Sequence, residues 1–488
     1  MSGFINDIFK LMSGTLLAQL INVIISPIIT RLYGPEAFGL ASLFITIAGI
    51  LGSIACLRYE SAIVLAEHNE ESANILVLCF FISILTSFIS LIFFHLFGVP
   101  FCSLLNASEL IKYLWLLPIF IFLTGVSVAM SYWINRQKDY GVLSLSKFGN
   151  SVLTGFTRLG LGWTGFTSEL SLIYSAILGT ILSASIMCIH IWYSKKFYCN
   201  YTIHFNIMKS SLNRYKKFPI YDTWASLITS LQWQLPIFIL SFFFSPVIVG
   251  YYSLSMMVLQ LPVSLLGTAV SQVFFQRVAE AKNFGKIDKL VEGFFINLFA
   301  IGVCPFLLIS AIGSDFFRLA FGPNWIEAGV YSQILAFWML FLFITSPIST
   351  LFSILEMQRA ALVINIITLP LRSLALVVGG MLGNALLAII LFALSGVLIY
   401  GLVNIWLLRK SEVIIAPLPK KIFKYFLLSS LIFSLIFILK YIFLIHGAIL
   451  ICLSIIMLLG YYYICFNKYI FKSLEAIYMY LNACTKEY

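Results

Sequence analysis

The sequence predicts an all-α integral membrane protein with about 14 transmembrane helices, two six-helix bundles followed by two additional helices. Three observations carry that expectation. Hydrophobic residues make up 61% of the 488 positions and charged residues 10%, and mean hydropathy is +1.02, a balance that excludes a water-soluble globular chain. Apolar runs recur along the whole length, each near the roughly 20 helical residues that cross a bilayer core. Basic residues collect in the short segments between those runs, so the net charge of +11 reads as membrane topology and not as a nucleic-acid surface.

Bounded by charges and by Gly or Pro, the first runs place helices near residues 11–31, 38–58, 73–97, 112–134, 142–162 and 170–193, a six-helix bundle within 1–194. The first run lacks a small-residue cleavage site and continues into Arg31-Leu-Tyr-Gly-Pro, so it reads as a retained helix. A basic linker spans 195–218. Helices near 219–242, 247–275, 291–313, 331–355, 360–381 and 385–408 make the second bundle within 219–408. A shorter linker, 409–421, contains Pro417 and Pro419, and helices near 422–445 and 447–467 fall in the last segment, 422–488.

Cytoplasmic segments retain Lys and Arg. With both termini inside, 23 of the 30 basic residues fall on the inner side, and only Arg31, Lys112, Arg318 and Lys440 on the outer. The other three, Lys147, Arg158 and Arg372, lie inside helices. An internal repeat supports the division into halves: Pro35-x-x-x-Gly39-x-x-Ser42-Leu43 returns as Pro246-x-x-x-Gly250-x-x-Ser253-Leu254, 211 residues later. An even number of helices per half gives both halves the same orientation, a parallel pseudo-two-fold with a cavity between the lobes.

The candidate functional residues are charges in costly places, because a charge at mid-bilayer costs about 2.5–3.5 kcal/mol on insertion scales. Arg372 sits 12 residues into its helix, too deep to snorkel, and a guanidinium suits bidentate contact with phosphate; the alternative is a bond to carbonyls freed by Pro370. Lys147 and Arg158, 11 residues apart, return to nearly one helix face, either as a cationic track or as two side chains snorkelling to opposite interfaces. Arg58 and Glu60 end the second helix, and Asp222 lies about a turn into the seventh. Glu60 and Asp222 are the candidates for ion coupling, with an interfacial salt bridge or a helix-start acid after Pro219 as the alternative. Trp224, Gln232, Trp233 and Gln234 could bind sugar or bond between helices. Phe274–Lys282 reads as an amphipathic cytoplasmic extension. The nine cysteines and five histidines show no metal-ligand spacing, so no catalytic residue, metal or cofactor is expected.

Three segments resemble the polysaccharide transporter family, the group of O-antigen flippases within the multidrug/oligosaccharidyl-lipid/polysaccharide exporter superfamily. They are Arg31-Leu-Tyr-Gly34-Pro35-Glu36-Ala37-Phe38-Gly39, Leu57-Arg58-Tyr59-Glu60-Ser61-Ala62-Ile63-Val64-Leu65, and Phe321-Gly322-Pro323-Asn324-Trp325 with Glu327-Ala-Gly329. The resemblance extends over roughly residues 1–408. It implies two six-helix bundles forming a V, and translocation of an undecaprenyl-diphosphate-linked oligosaccharide from the cytoplasmic to the periplasmic leaflet of the inner membrane for O-antigen, lipopolysaccharide or another surface polysaccharide. Alternating access through a cationic cavity is the mechanism expected, with Arg372, Arg158, Lys147 and Arg58 as the substrate-binding residues. A polysaccharide polymerase and a chain-length regulator are expected partners beside membrane lipids, and nucleic acid is not.

Two other functions fit the composition. A drug or toxin exporter of the same superfamily would favour an acidic cavity, whereas the intramembrane inventory here is three cations against one acid. A membrane polysaccharide polymerase or glycosyltransferase would carry a substantial external loop or paired carboxylates; here the external connections 97–111 and 314–330 are short. Phosphate-loop and dinucleotide glycine patterns are missing as well.

Overall fold

The computed structural model describes residues 2–194, 202–282, 287–443, 445 and 447–484. The start of the basic linker (195–201), Lys286 and Lys486 therefore lie outside the described residues. No strand occurs among those described. The chain forms two compact units, Met1–Leu254 with Leu376–Ala388, and Ser255–Ala375 with Ile389–Tyr488.

The first unit contains α1 (Ser2–Leu32), α2 (Pro35–Ser53), α3 (Glu60–Leu65), α4 (Asn69–Leu104), α5 (Leu116–Gln137), α6 (Tyr140–Trp163), α7 (Glu169–Tyr193), α8 (Phe205–Arg214) and α9 (Thr223–Phe243), and ends in the first turns of α10 (Pro246–Lys282). The rest of α10 belongs to the second unit with α11 (Ile287–Phe321), α12 (Ile326–Ile348), α13 (Leu351–Ile354), most of α14 (Gln358–Met381) and of α15 (Ala385–Lys410), α16 (Leu418–Tyr441) and α17 (Gly447–Cys484), while the end of α14 and the start of α15, Leu376–Ala388, cluster with the first.

Among the described residues, 13 helices are long and apolar enough to cross a membrane, and they coincide with 13 of the 14 expected spans. The fourteenth, expected over 142–162, forms a helix as α6. Its glycines, serines and two cations leave it less apolar than the others.

The second helix departs from expectation. The sequence predicts a span over 38–58, yet α2 stops at Ser53. Six residues of turn follow, with Leu57 and Arg58 both left-handed at φ 48° and 63°, before α3 continues the path. Left-handed backbone at two adjacent side-chain-bearing residues costs on the order of 1–3 kcal/mol each and is retained where the surroundings fix it. The surroundings here are α4 and α5. The Cys56 thiol lies 3.8 Å from the Cys79 carbonyl and 3.4 Å from that of Gly125, and Thr86 Oγ1 donates to the Ala55 carbonyl at 2.9 Å. Below the break Ser72 donates to the Ile63 carbonyl at 2.7 Å, and Arg136 Nη1 donates to the carbonyls of Ile63, Val64 and Ala66. Backbone carbonyls around the interruption are thus satisfied inside the protein.

The repeat noticed in the sequence is a packing device. A Cβ on Gly39 would meet the Pro246 carbonyl oxygen, and a Cβ on Gly250 would meet that of Pro35. The starts of α2 and α10 approach each other reciprocally through the two glycines. Each helix begins on its proline, where the missing N–H has no partner to lose.

The second unit is cored by Phe317, Trp325, Trp338, Phe343 and Tyr461, all nearly inaccessible. The two additional helices are bolted to it. Tyr461 Oη donates to the Ala300 carbonyl at 2.7 Å and Tyr462 Oη to that of Ile301 at 2.9 Å, while Lys440 lies 2.7 Å from Asp315.

Candidate functional site

Arg58 and Glu60 flank the interruption between α2 and α3. Arg58 Nη1 lies 3.2 Å from Glu60 Oε1, and the Glu60 side chain is 2% exposed against 28% for Arg58. The pair is incomplete: Arg58 Nε and Glu60 Oε2 are buried without a hydrogen-bond partner among the described residues. Burial pushes the Glu60 carboxyl above the usual carboxylate range, opposed by its own backbone N–H and by Arg58 and reinforced by the charge of Asp222. Asp222 itself is exposed, at the end of a π-helical turn over Phe218–Asp222, and makes no ion pair among the described residues. This corner of the first unit thus holds a buried carboxylate with a spare oxygen, a guanidinium with a spare nitrogen, and a second carboxylate in reach of solvent. Such a group can exchange a proton as its counter-ion is engaged or released.

Lys147 and Arg158 share α6 but not their partners. Lys147 is exposed, its Nζ 3.5 Å from Thr15 Oγ1 on α1. Arg158 turns to α7, its Nε donating to Ser175 Oγ at 3.0 Å, and its carbonyl accepts from Tyr33 Oη at 2.8 Å.

Arg372 belongs to the second unit and is 6% exposed. Its guanidinium carbon sits 3.8 Å from the ring centre of Trp338, 3.9 Å from that of Phe392 and 5.9 Å from that of Tyr400. The cation is held in an aromatic box built by α12, α14 and α15. No local pattern in the sequence announces this box, because its walls come from helices 34 and 20 residues away from Arg372. Gly396 permits it: a Cβ there would fall on the Trp338 indole.

In α9, Gln234 accepts from Thr46 Oγ1 at 3.4 Å and Ser230 donates to Ser53 at 3.2 Å, bonds that join α9 to α2. Beside them α2, α4 and α9 line a half-open cavity of about 540 Å³, with Ile47, Ile50, Ile54, Ile89, Phe93 and Phe238 among its walls. Its two hydroxyls face inward to backbone: Thr86 to Ala55, and Ser90 to Ser87 at 2.7 Å. The wall therefore presents carbon alone. Sequence reading gave no sign of it.

The first and third sequence motifs carry structural contacts. Tyr33 fastens α1 to α6; Gly322, at φ 107°, ends α11 with its N–H on the carbonyls of Phe317 and Arg318, after which Pro323 starts a 3-10 turn that buries Trp325. Ser255 donates to the Ala328 carbonyl at 2.6 Å.

A charged pair at an interrupted helix, a buried cation and an apolar cavity lie in a chain with 13 helices long and apolar enough to cross a membrane among the described residues, the architecture of a multi-pass membrane protein. The chain belongs to the polysaccharide biosynthesis protein family, whose profile matches residues 28–330. Its fold is that of the multidrug/oligosaccharidyl-lipid/polysaccharide exporters. The lipid II flippase MurJ, in an inward closed conformation, superposes with a TM-score of 0.74 at 14% identity, covering 94% of this chain and 99% of that one. An inward-facing multidrug resistance MATE transporter gives 0.63 at 15% identity, over 82% and 94%. A superfamily transporter from Pyrococcus furiosus, described as having a binding pocket of reversed polarity, gives 0.54 at 16% identity, over 83% and 94%. No curated protein matches the chain.

Proposed function

We propose that this transporter is a flippase for undecaprenyl-diphosphate-linked oligosaccharide repeat units, acting by alternating access in the cytoplasmic (inner) membrane, with both termini cytoplasmic, in the synthesis of O-antigen or another surface polysaccharide. The observation that carries the reading is membership of the polysaccharide biosynthesis family over residues 28–330; a fold shared with a protein named for flipping lipid II adds to it. The substrate has three chemical parts, and the chain offers groups suited to each. Arg58, Arg158, Lys147 and Arg372 are the cations that meet the diphosphate and any acidic sugars along the path. Arg58 supports the reading by its partial exposure and by its incomplete pairing with Glu60. Arg372 is held oriented by its box. Gln232, Gln234 and Trp233 suit sugar hydroxyls, and the apolar chamber suits hydrocarbon. Glu60, with Asp222, takes the proton or cation that drives the cycle. A polymerase and a chain-length regulator receive the product.

The test is a strain deleted for the gene, complemented with wild type, Arg58→Ala or Arg372→Ala at matched membrane levels. Restored long surface polysaccharide with wild type and its loss with Arg58→Ala is the expected result. Intact polysaccharide in the deletion strain, with raised sensitivity to cationic drugs, would replace the reading with that of an exporter.

A further inference from the structure

Helix α8 lies outside every candidate span and shows two different faces. Met208 and Ser211 are buried, Met208 within the cluster formed by Tyr59, Ala62, Ile63, Ala66 and Leu76. A second face, roughly a quarter turn round the helix, is built from Phe205, Lys209 and Leu212 at spacings of four and three. It is exposed, Phe205 by 77%. Exposed Ile203 precedes it, and exposed Lys216 and Lys217 follow. An exposed phenylalanine and leucine interleaved with lysines have no use in water. They match a surface that is apolar beneath and negatively charged at the rim.

The depth of α8 agrees. α4 has 36 residues, about 54 Å of helix against a hydrocarbon core of roughly 30 Å, so its first turns stand among headgroups. α8 is fastened to those turns. Asn74 Nδ2 donates to the Thr202 carbonyl at 3.0 Å and Asn74 Oδ1 accepts from the His204 N–H at 2.8 Å, Arg214 bridges Glu67 and Glu71, and Tyr59 Oη donates to the Leu212 carbonyl at 3.1 Å. The nearby acids are thereby engaged: Glu67 and Glu71 by Arg214, Glu70 by Thr202. Glu67 is accordingly held below the usual carboxylate range by the Arg214 bond and charge. What faces outward on α8 carries no acid: Phe205, Lys209 and Leu212 form one strip, beside the neutral polar Asn206, Ser210 and Asn213.

We propose that α8 is an interfacial anchor whose Phe205–Lys209–Leu212 face docks on anionic phospholipid headgroups, with Lys216 and Lys217 extending the contact. Phe205 and Leu212 enter the acyl boundary while the lysine ammonium groups meet phosphate. Because Tyr59 joins α8 to the Arg58–Glu60 turn, the anchor holds that corner of the first unit at a fixed depth. The proposal does not rest on what the protein transports.

The test uses the full chain in neutral detergent, titrated with phosphatidylglycerol or phosphatidylcholine, with bound lipid counted by native mass spectrometry. An ammonium near an anionic surface contributes about 1 kcal/mol, or about fivefold in affinity, so Lys209→Glu/Lys216→Glu should weaken phosphatidylglycerol binding by about 25-fold or more. Lys420→Glu/Lys424→Glu makes the same change in net charge at exposed residues of another segment and should leave it within about twofold. In vesicles with brominated acyl chains, Leu212→Trp should show extra quenching over wild type. Equal loss in both double variants, equal binding of the two lipids, or a Trp at 212 that is not quenched would overturn the proposal.

Discussion

The aromatic box around Arg372 makes a quantitative prediction that separates the energetics of the side chain from its use in transport. A desolvated cation over a ring face gains about 2 kcal/mol, and Arg372 has two faces, at 3.8 Å and 3.9 Å, for roughly 4 kcal/mol at most. Against that stands the roughly 2.5–3.5 kcal/mol cost of a mid-membrane cation. The two largely cancel, so Arg372→Met, which keeps the stem and removes the charge, should change stability by no more than about 1.5 kcal/mol. Trp338→Ala is different. Deleting a buried indole costs about 3–5 kcal/mol in cavity and contacts, and with Arg372 present it also removes one face of the box. A double-mutant cycle over Arg372→Met and Trp338→Ala, read by reversible unfolding in mixed detergent micelles, should therefore give a coupling energy of about 2 kcal/mol. A coupling below about 0.5 kcal/mol would show that the rings do not hold the cation and would sink the box as its reason for being buried.

Other perturbations have equally definite outcomes. Arg58→Ala leaves the Glu60 carboxylate buried without its counter-ion and should cost about 3–5 kcal/mol; Arg58→Ala/Glu60→Gln should recover most of that in the same unfolding assay. Burial holds the Glu60 carboxyl above its ordinary value of 4.5, so the stability it contributes is full below that pH and is lost as pH rises through the raised value. Glu60→Gln should flatten that slope in unfolding midpoints measured from pH 4 to 8. Gly39→Ala and Gly250→Ala each drive a methyl into a backbone carbonyl, which no side-chain rotation relieves, and each should cost about 1–3 kcal/mol by the same measurement.

The legible part of this protein was what the bilayer imposes. A run of apolar residues has one stable form in hydrocarbon, so spans such as 358–381 and 385–410 match the sequence reading closely. The Pro-x-x-x-Gly repeat was legible as a repeat, but its reciprocal backbone contact was not, since that depends on where two helices 211 residues apart meet. The end of the second helix was misplaced because residues 54–57 are as apolar as the helix before them, and only the pocket formed by Cys79, Ser83 and Gly125 makes a turn preferable there. Charge singled out Arg58, Glu60, Asp222, Lys147, Arg158 and Arg372, because charges in apolar runs are costly wherever they point. The environments built by distant segments were invisible, namely the aromatic walls from α12 and α15 around Arg372 and the α7 serine beside Arg158, whereas the Arg58–Glu60 pair is local, two residues apart, and only its burial depends on the packing around it. The α2–α4–α9 chamber left no trace for the same reason, its lining being indistinguishable in sequence from residues that face lipid.

The central claim is tested most directly by reconstituting the purified chain into sealed vesicles that carry a fluorescent undecaprenyl-diphosphate-linked oligosaccharide on one leaflet, and following its appearance on the other with a membrane-impermeant lectin. Wild type should speed that exchange far beyond protein-free vesicles, and Arg58→Ala at equal reconstitution should abolish most of the gain. A wild-type rate equal to that of empty vesicles, in preparations that exchange a cationic dye for protons, would contradict the account.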